Sequence, residues 1–166
     1  MESRAWWMID VLELERAIAQ GRQRDLNNGT PVGLVEAREK VLEMLDALDR
    51  ELSPSALVLG GFSQGAMLSL DVALHSDRAL AGLVQWSGTL LDEDGWVPRM
   101  GARQGLPVLQ SHGRMDPLLP FSLAQALRQH LVASGLDVEF LEFNGGHEIP
   151  GRVLDRFGAF LATHLY

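Results

Sequence analysis

Residues 57–70, LVLGGFSQGAMLSL, decide the fold, because an apolar run there meets two glycines and a serine before a second apolar run begins. Residues 61–65 fit the pattern G-x-S-x-G, and the flanking runs predict a strand before Ser63 and a helix after it. The glycines let the backbone turn sharply, so that the serine hydroxyl projects beyond the sheet, above the helix N-terminus. The stretch is therefore either an ordinary turn or an elbow that presents a nucleophile.

Length, composition and charge narrow the class of protein. With 166 residues, of which 46% are hydrophobic and 22% charged, the chain has the size of one domain, residues 1–166. The formal net charge of -8 argues against nucleic acid and an anionic membrane surface as partners. Cysteine is absent, which excludes disulfides, thiolate metal sites and a cysteine nucleophile. Any covalent chemistry must therefore use oxygen or nitrogen.

Two further absences bear on location. No stretch reaches the roughly 18 uninterrupted apolar residues that a membrane span needs. The N-terminal MESRAWWMIDVLELE also lacks the cationic start and the small-residue cleavage site of a signal peptide. These features predict a soluble, cytoplasmic protein without stable membrane insertion.

Hydrophobic periodicity predicts alternating strands and helices. Thr30 and Pro31 are expected to cap and begin an amphipathic helix over residues 31–49. Other helices are predicted over residues 9–21, 65–76, 120–135 and 149–165, and strands over 56–62, 80–87, 106–113 and 137–144. This alternation predicts an α/β fold of three layers, with a mainly parallel sheet of about four strands. Such sheets carry their reactive loops at the carboxyl ends of the strands.

A serine nucleophile needs a base and an acid that orients the base. Of the five histidines, only His147 stands in a loop directly after a predicted strand, in FNGGHEIPG. Asp116 follows the third predicted strand, where a simple turn aspartate is the alternative interpretation. The chain order Ser63, Asp116, His147, each at the end of a strand, is that of α/β-hydrolases. The sequence therefore predicts a Ser-His-Asp triad.

Other site motifs are not supported. His147-Glu148 is not followed by the second histidine of a zinc-protease helix, and Gly60-Gly61 is not followed by the lysine of a phosphate loop. No metal and no organic cofactor is predicted. The short segment 87–105 leaves no room for a cap domain and predicts an open cleft with a rim of Leu91, Trp96, Met115 and Leu118. Core or rim packing is the alternative role for the tryptophans.

Four blocks together resemble the carboxylesterase, phospholipase and acyl-protein thioesterase family of α/β-hydrolases. They are GFSQGAMLSL, SHGRMDPLLP, GGHEIP and the upstream RAWWMID, and the similarity runs from about Arg4 to the C-terminus. The resemblance implies a serine esterase that cleaves small carboxylic esters, thioesters or lysophospholipids through an acyl-enzyme. It also implies that the backbone N–H of Gln64 is one oxyanion donor.

The chain departs from this family before Ser63. Family members begin with further strands and a His-Gly-containing loop that supplies the second oxyanion donor, whereas no His-Gly pair precedes Ser63 here. The chain is therefore expected to be N-terminally truncated relative to the family, or a fragment of a longer gene. Loss of one donor typically costs about 10²–10³ in turnover. Catalysis is therefore expected to be weak unless another group supplies the second donor.

The same departure leaves the strand before Ser63 with an open edge. Unpaired backbone groups on an apolar strand invite another strand, which predicts a homodimer or larger homo-oligomer, or coverage by ESRAWWMID. The alternative to an enzyme is a weakly active or non-catalytic hydrolase-like module that acts in assembly or binding. A third, less favoured alternative is lactone hydrolysis of the dienelactone type. Enzymes of that type share the fold but usually carry a cysteine as the nucleophile of the elbow, and this chain has no cysteine.

Overall fold

A computed structural model describes residues 5–8 and 30–165 of the chain. The helix predicted over residues 9–21 lies outside the described residues. The helices are α1 (Leu34–Leu52), α2 (Gln64–Leu74), α3 (Glu93–Met100), α4 (Phe121–Ala133) and α5 (Gly151–Leu165). The strands are β1 (Val58–Phe62), β2 (Gly82–Trp86), β3 (Pro107–Gly113) and β4 (Asp137–Phe143). A single 3₁₀ turn, Gly101–Arg103, follows α3.

The four strands form one parallel sheet in the order β1-β2-β3-β4. In register, Phe62 lies beside Trp86, Trp86 beside Ser111, and Ser111 beside Leu141. The carboxyl ends of all four strands therefore lie along one edge of the sheet. The prediction of a parallel sheet of about four strands is confirmed. Nearly continuous apolar strands are typical of parallel sheets that helices cover on both faces.

Helices cover the two faces of the sheet unequally. Helices α1 to α4 bury the larger core on one face, with Leu34, Leu70, Leu83, Trp96, Val108 and Leu127 among its members. On the other face α5 packs Phe160 against Val84 and Leu109. Gly82 makes this contact possible, since a Cβ there would lie 2.7 Å from the Phe160 ring. The predicted three layers are present.

The predicted cap of α1 was wrong, and one short helix was not predicted. Helix α1 begins at Leu34 after Gly33, whose φ of 92° is left-handed, and no side chain caps it. Thr30 instead donates a hydrogen bond from its hydroxyl to Asp92, at 2.6 Å. Segment 87–105 also contains the helix α3, which Asp92 caps by accepting from the backbone N–H of Gly95 at 3.0 Å. Among the helices in residues 30–165, none combines the length and apolar character needed to cross a bilayer.

Candidate active site

Ser63 occupies a strained turn between β1 and α2. Its φ of 57° and ψ of -120° are unfavourable for a residue with a side chain, and its N–H donates to the Trp86 carbonyl at 2.8 Å. The turn is tight enough that a Cβ on Gly61 would lie 2.5 Å from the carbonyl oxygen of Gly65. Glycine at position 61 therefore permits the turn that exposes Ser63 at the carboxyl edge of the sheet.

Asp116 and His147 are in direct contact. The Nδ1 of His147 donates to Oδ2 of Asp116 at 2.6 Å. The other carboxylate oxygen, Oδ1, accepts from the backbone N–H groups of Leu118 and Leu119, each at 2.9 Å. These two donors fix the orientation of the carboxylate, so that its other oxygen, Oδ2, faces the imidazole of His147. The structure thus brings together the predicted acid and base.

The surroundings of Asp116 keep it ionised. Burial raises the pKa of this carboxyl, but the hydrogen bonds from His147, Leu119 and Leu118 outweigh that effect, and the pKa lies below the ordinary value of 3.8. An ionised Asp116 accepts a hydrogen bond from Nδ1–H of His147, which leaves Nε2 of the neutral ring free to take a proton. The His147 side chain is 13% exposed, which leaves part of the ring accessible from the sheet edge.

The loop after β4 carries His147 back across the sheet. The N–H of Met115 donates to the Gly145 carbonyl at 3.0 Å, so the loop lies over the end of β3. The ring of His147 then contacts the ring of Phe62, with 4.7 Å between the centroids. Phe62 directly precedes Ser63. In the described part of the chain no hydrogen bond joins His147 to the Ser63 hydroxyl, although the imidazole lies beside the elbow.

Gln64 has two separate roles in the geometry of the elbow. As the first residue of α2, it has a backbone N–H that the helix leaves without an acceptor. Its side-chain amide accepts from the N–H of Trp6 at 2.7 Å and donates to the carbonyl of Trp7 at 3.0 Å. Residues 5–8 therefore lie at the N-terminus of α2, and this part of the predicted ESRAWWMID cover does not pair with β1.

The predicted cleft rim is only partly supported. Met115 and Leu118 are exposed on either side of Asp116. Trp96 and Leu91 are 0% and 3% exposed and belong to the core, so their prediction as rim residues was wrong. The reason is α3, whose inward face buries Trp96 and lets its Nε1 donate to Asp71 at 2.9 Å. The cap formed by Asp92 and Gly95 was the sequence signal for this helix.

Sequence reasoning also assigned no role to His112. This residue is fully buried in β3, and its Nε2 lies 3.4 Å from Oδ2 of Asp116. Its spacing, four residues before Asp116, was the available signal. Within the described ranges no group of three or more His, Asp or Glu side chains is arranged to hold a metal ion.

Comparison with known proteins places the sequence in one family. The phospholipase/carboxylesterase family matches residues 23–165. The acyl-protein thioesterase 1 of Gibberella zeae is 33% identical over 122 residues, which are 71% of this chain and 52% of that protein. That of Eremothecium gossypii is 36% identical over 112 residues, 64% of this chain and 47% of the relative. The chain thus spans about half the length of these curated relatives.

Solved structures show the same architecture. Arabidopsis thaliana SOBER1 superposes with a TM-score of 0.71 at 25% identity, over 81% of this chain and 65% of that one. Esterase PE8 gives a TM-score of 0.72 at 27% identity, over 80% of this chain and 62% of that one. The predicted α/β-hydrolase-like fold is confirmed.

Proposed function

Because the chain belongs to the phospholipase/carboxylesterase family, we propose that it is a serine hydrolase of small carboxylic esters or thioesters. Lysophospholipids are a further proposed substrate class. The observation that carries the proposal is the 2.6 Å hydrogen bond between Asp116 and His147 beside the strained Ser63. The names of the relatives, acyl-protein thioesterase 1 and esterase PE8, support the two substrate classes.

The proposed reaction proceeds through an acyl-enzyme. Nε2 of His147 removes the hydroxyl proton of Ser63 as the serine oxygen attacks the carbonyl carbon, and Asp116 stabilises the resulting imidazolium. The imidazolium then gives its proton to the leaving alcohol or thiol, and the ester of Ser63 remains. A water molecule, deprotonated by the same nitrogen, attacks this ester. The acid product leaves, and the proton returns to Ser63.

The backbone N–H of Gln64 is the proposed oxyanion donor. It points out of the first turn of α2, where the helix dipole also favours a developing negative charge. Removal of one such donor typically costs about 10²–10³ in turnover, so a second donor would matter to the rate. The hydrogen bonds between the Gln64 side chain and residues 6 and 7 fix the position of this N–H.

A pair of serine variants tests the proposal. Ser63→Ala is compared with Ser122→Ala, an exposed serine on α4, in hydrolysis of a chromogenic ester and in labelling by a fluorophosphonate probe. Loss of the catalytic serine should lower turnover by at least about 10³-fold and abolish the mass shift, since the attacking oxygen is removed. Ser122→Ala should keep the turnover and the labelling of the wild type. Equal rates or equal labelling in the wild type and Ser63→Ala would refute the proposal.

The alternative role in assembly is favoured by one observation, the character of β1, which is an edge strand of the sheet that the described residues form. This strand, VLGGF, carries no charged residue. The opposite edge strand, β4, contains Asp137, Glu139 and Glu142, and Arg156 and Arg114 pair with the two glutamates. Charges on an edge strand oppose pairing with another chain, and β1 lacks them. Homodimerisation through β1 is therefore proposed as a second property of the molecule.

Sedimentation of the wild type across a range of concentrations tests this second proposal. Concentration-dependent dimers or larger assemblies are expected, because the exposed backbone of Gly60 can pair with a second strand. A strictly monomeric species at all concentrations would contradict it. The cytoplasmic location and the single domain over residues 1–166 remain predictions from the sequence.

A further inference from the structure

His112 lies directly behind the acid of the candidate active site. Its imidazole is fully buried, and Nε2 lies 2.9 Å from the carbonyl oxygen of Leu119. A carbonyl oxygen can only accept, so the proton of a neutral ring must lie on Nε2. The same nitrogen lies 3.4 Å from Oδ2 of Asp116, the oxygen that accepts from His147.

Two hydrogen bonds of Leu119 link His112 to the acid. The N–H of Leu119 donates to Oδ1 of Asp116, and the carbonyl of Leu119 accepts from His112. Turn 116–119 is thereby held at both ends, by the carboxylate it orients and by a side chain from β3. Without the imidazole, the end of the turn at Leu119 would lose this contact with β3, and the donors to Oδ1 would be aligned less firmly.

From this arrangement we infer that His112 is a positioning residue: it anchors the turn that aims the carboxylate of Asp116 at His147. Its consequence for turnover rests on the proposed hydrolase function, whereas its effect on the geometry does not. A misplaced carboxylate would hold His147 in less productive orientations and reduce the rate of attack by Ser63. Binding of the substrate would change little, because His112 is wholly buried.

The charge state of the ring fits this role. Burial lowers the pKa of His112, and the charge of His147 lowers it further, whereas the Leu119 carbonyl, the Asp116 carboxylate and the Gly88 backbone raise it. The net direction of the pKa is downward, which favours the neutral ring. A neutral donor is useful here, since a second imidazolium beside Asp116 would oppose protonation of His147 during catalysis.

The chain contains a matched pair for comparison. His75, the residue directly after α2, lies 3.2 Å from Asp71, again at a spacing of four residues. That pair lies in a separate network with Arg38 and Trp96. His75→Gln therefore controls for the loss of a histidine next to a buried aspartate.

The first experiment needs no variant. Nitrogen-15 NMR of the histidine rings in the wild type is expected to show His112 protonated on Nε2 alone, with no titration step near the ordinary pKa of 6.5. A ring protonated on Nδ1, or one that titrates like an exposed histidine, would overturn the inference. This measurement holds even if the variants at this buried position do not fold.

The second experiment compares His112→Phe, which fills the space without a donor, with His112→Gln, which places an amide N–H at about the reach of Nε2. The phenylalanine variant is expected to lower kcat by about 10–100-fold with KM within about twofold, and the glutamine variant to recover most of the loss. A folded phenylalanine variant with wild-type kcat, or a glutamine variant impaired as strongly as phenylalanine, would overturn the inference. So would an equal loss in His75→Gln.

The NMR signal of the His147 Nδ1 proton separates this inference from the proposed function. The signal should shift or broaden in His112→Phe and stay near its wild-type position in His112→Gln and His75→Gln. If the wild type shows no turnover dependent on Ser63, the hydrolase proposal fails, but this spectral comparison still decides the role of His112. An unchanged signal in His112→Phe would overturn it.

Discussion

Two buried aspartates, Asp71 and Asp116, each lie near a histidine four residues away, yet their other partners differ. Asp71 accepts from the guanidinium of Arg38 at 3.0 Å and from the indole of Trp96 at 2.9 Å. Asp116 accepts from two backbone N–H groups and from His147. A fixed cation neutralises the first carboxylate within the core. The second faces a partner that can gain and lose a proton.

The comparison shows that burial and a neighbouring histidine do not by themselves identify a catalytic acid. Asp116, the proposed acid, differs from Asp71 in its position after the carboxyl end of β3 and in the part-exposed imidazole that it contacts. Asp71 lies within α2, among packed side chains. We therefore expect Asp71 to act on stability and Asp116 on activity.

The largest expected effect is that of Asp116→Asn on activity. The amide oxygen can still accept from Leu118 and Leu119, but the amide nitrogen would face His147 and favour the wrong tautomer. A fall in kcat/KM of about 10³–10⁴ is expected, measured with a chromogenic ester. Thermal unfolding serves as the control for folding. A variant with more than a tenth of wild-type kcat/KM would erase the proposed distinction between the two aspartates.

Asp71→Ala should show the converse behaviour. It leaves the part-buried guanidinium of Arg38 and the buried indole of Trp96 without their acceptor, and such a loss typically costs about 2–4 kcal/mol. Urea denaturation should reveal this decrease in the free energy of unfolding, whereas kcat of the folded fraction should stay within about twofold of wild type. A large loss of kcat without a loss of stability would mean that Asp71 also serves the site.

The smallest expected effect is on the pH dependence of stability. The pKa values of His112 and Asp116 both lie below their ordinary values in the folded protein, so the folded state binds fewer protons than the unfolded state. Stability should therefore be complete above about pH 6.5 and decrease below it as unfolded His112 gains a proton, with Asp116 contributing from about pH 4 downward.

Melting temperatures at pH 8, 6.5 and 5 test this dependence. His112→Gln lacks the titrating ring and should lose less stability between the two lower values than the wild type does. An identical decrease in both proteins would show that His112 does not contribute to it.

The sequence predicted those features that depend on local pattern. Long apolar runs located all four strands, and residue type together with strand ends located Asp116 and His147. The errors involve contacts between distant parts of the chain. Thr30 bonds to Asp92, which is 62 residues away, and Gln64 to Trp6, which is 58 residues away. Periodicity carries no information about such pairs.

The missed helix α3 has a related cause. Its eight residues include Gly95 and Pro98, which weaken helix propensity. Its inward face is defined by the hydrogen bond from Trp96 to Asp71 on α2, a contact that the local pattern does not predict. His112 was overlooked because its partners belong to a turn whose shape the sequence does not specify. The sequence thus predicted the residue types of the candidate site. The positions of their side chains depend on tertiary contacts, which the sequence pattern does not show.

The hydrogen bonds from Gln64 have a consequence for spectroscopy. They hold the backbone of Trp6 at the elbow, where its indole nitrogen lies 3.6 Å from the position that a Cβ on Gly65 would take. The Trp6 side chain is 52% exposed, so its emission responds to nearby changes in polarity. An acyl group on Ser63 would therefore alter the intrinsic fluorescence, and the protein would carry its own optical reporter of acylation and deacylation.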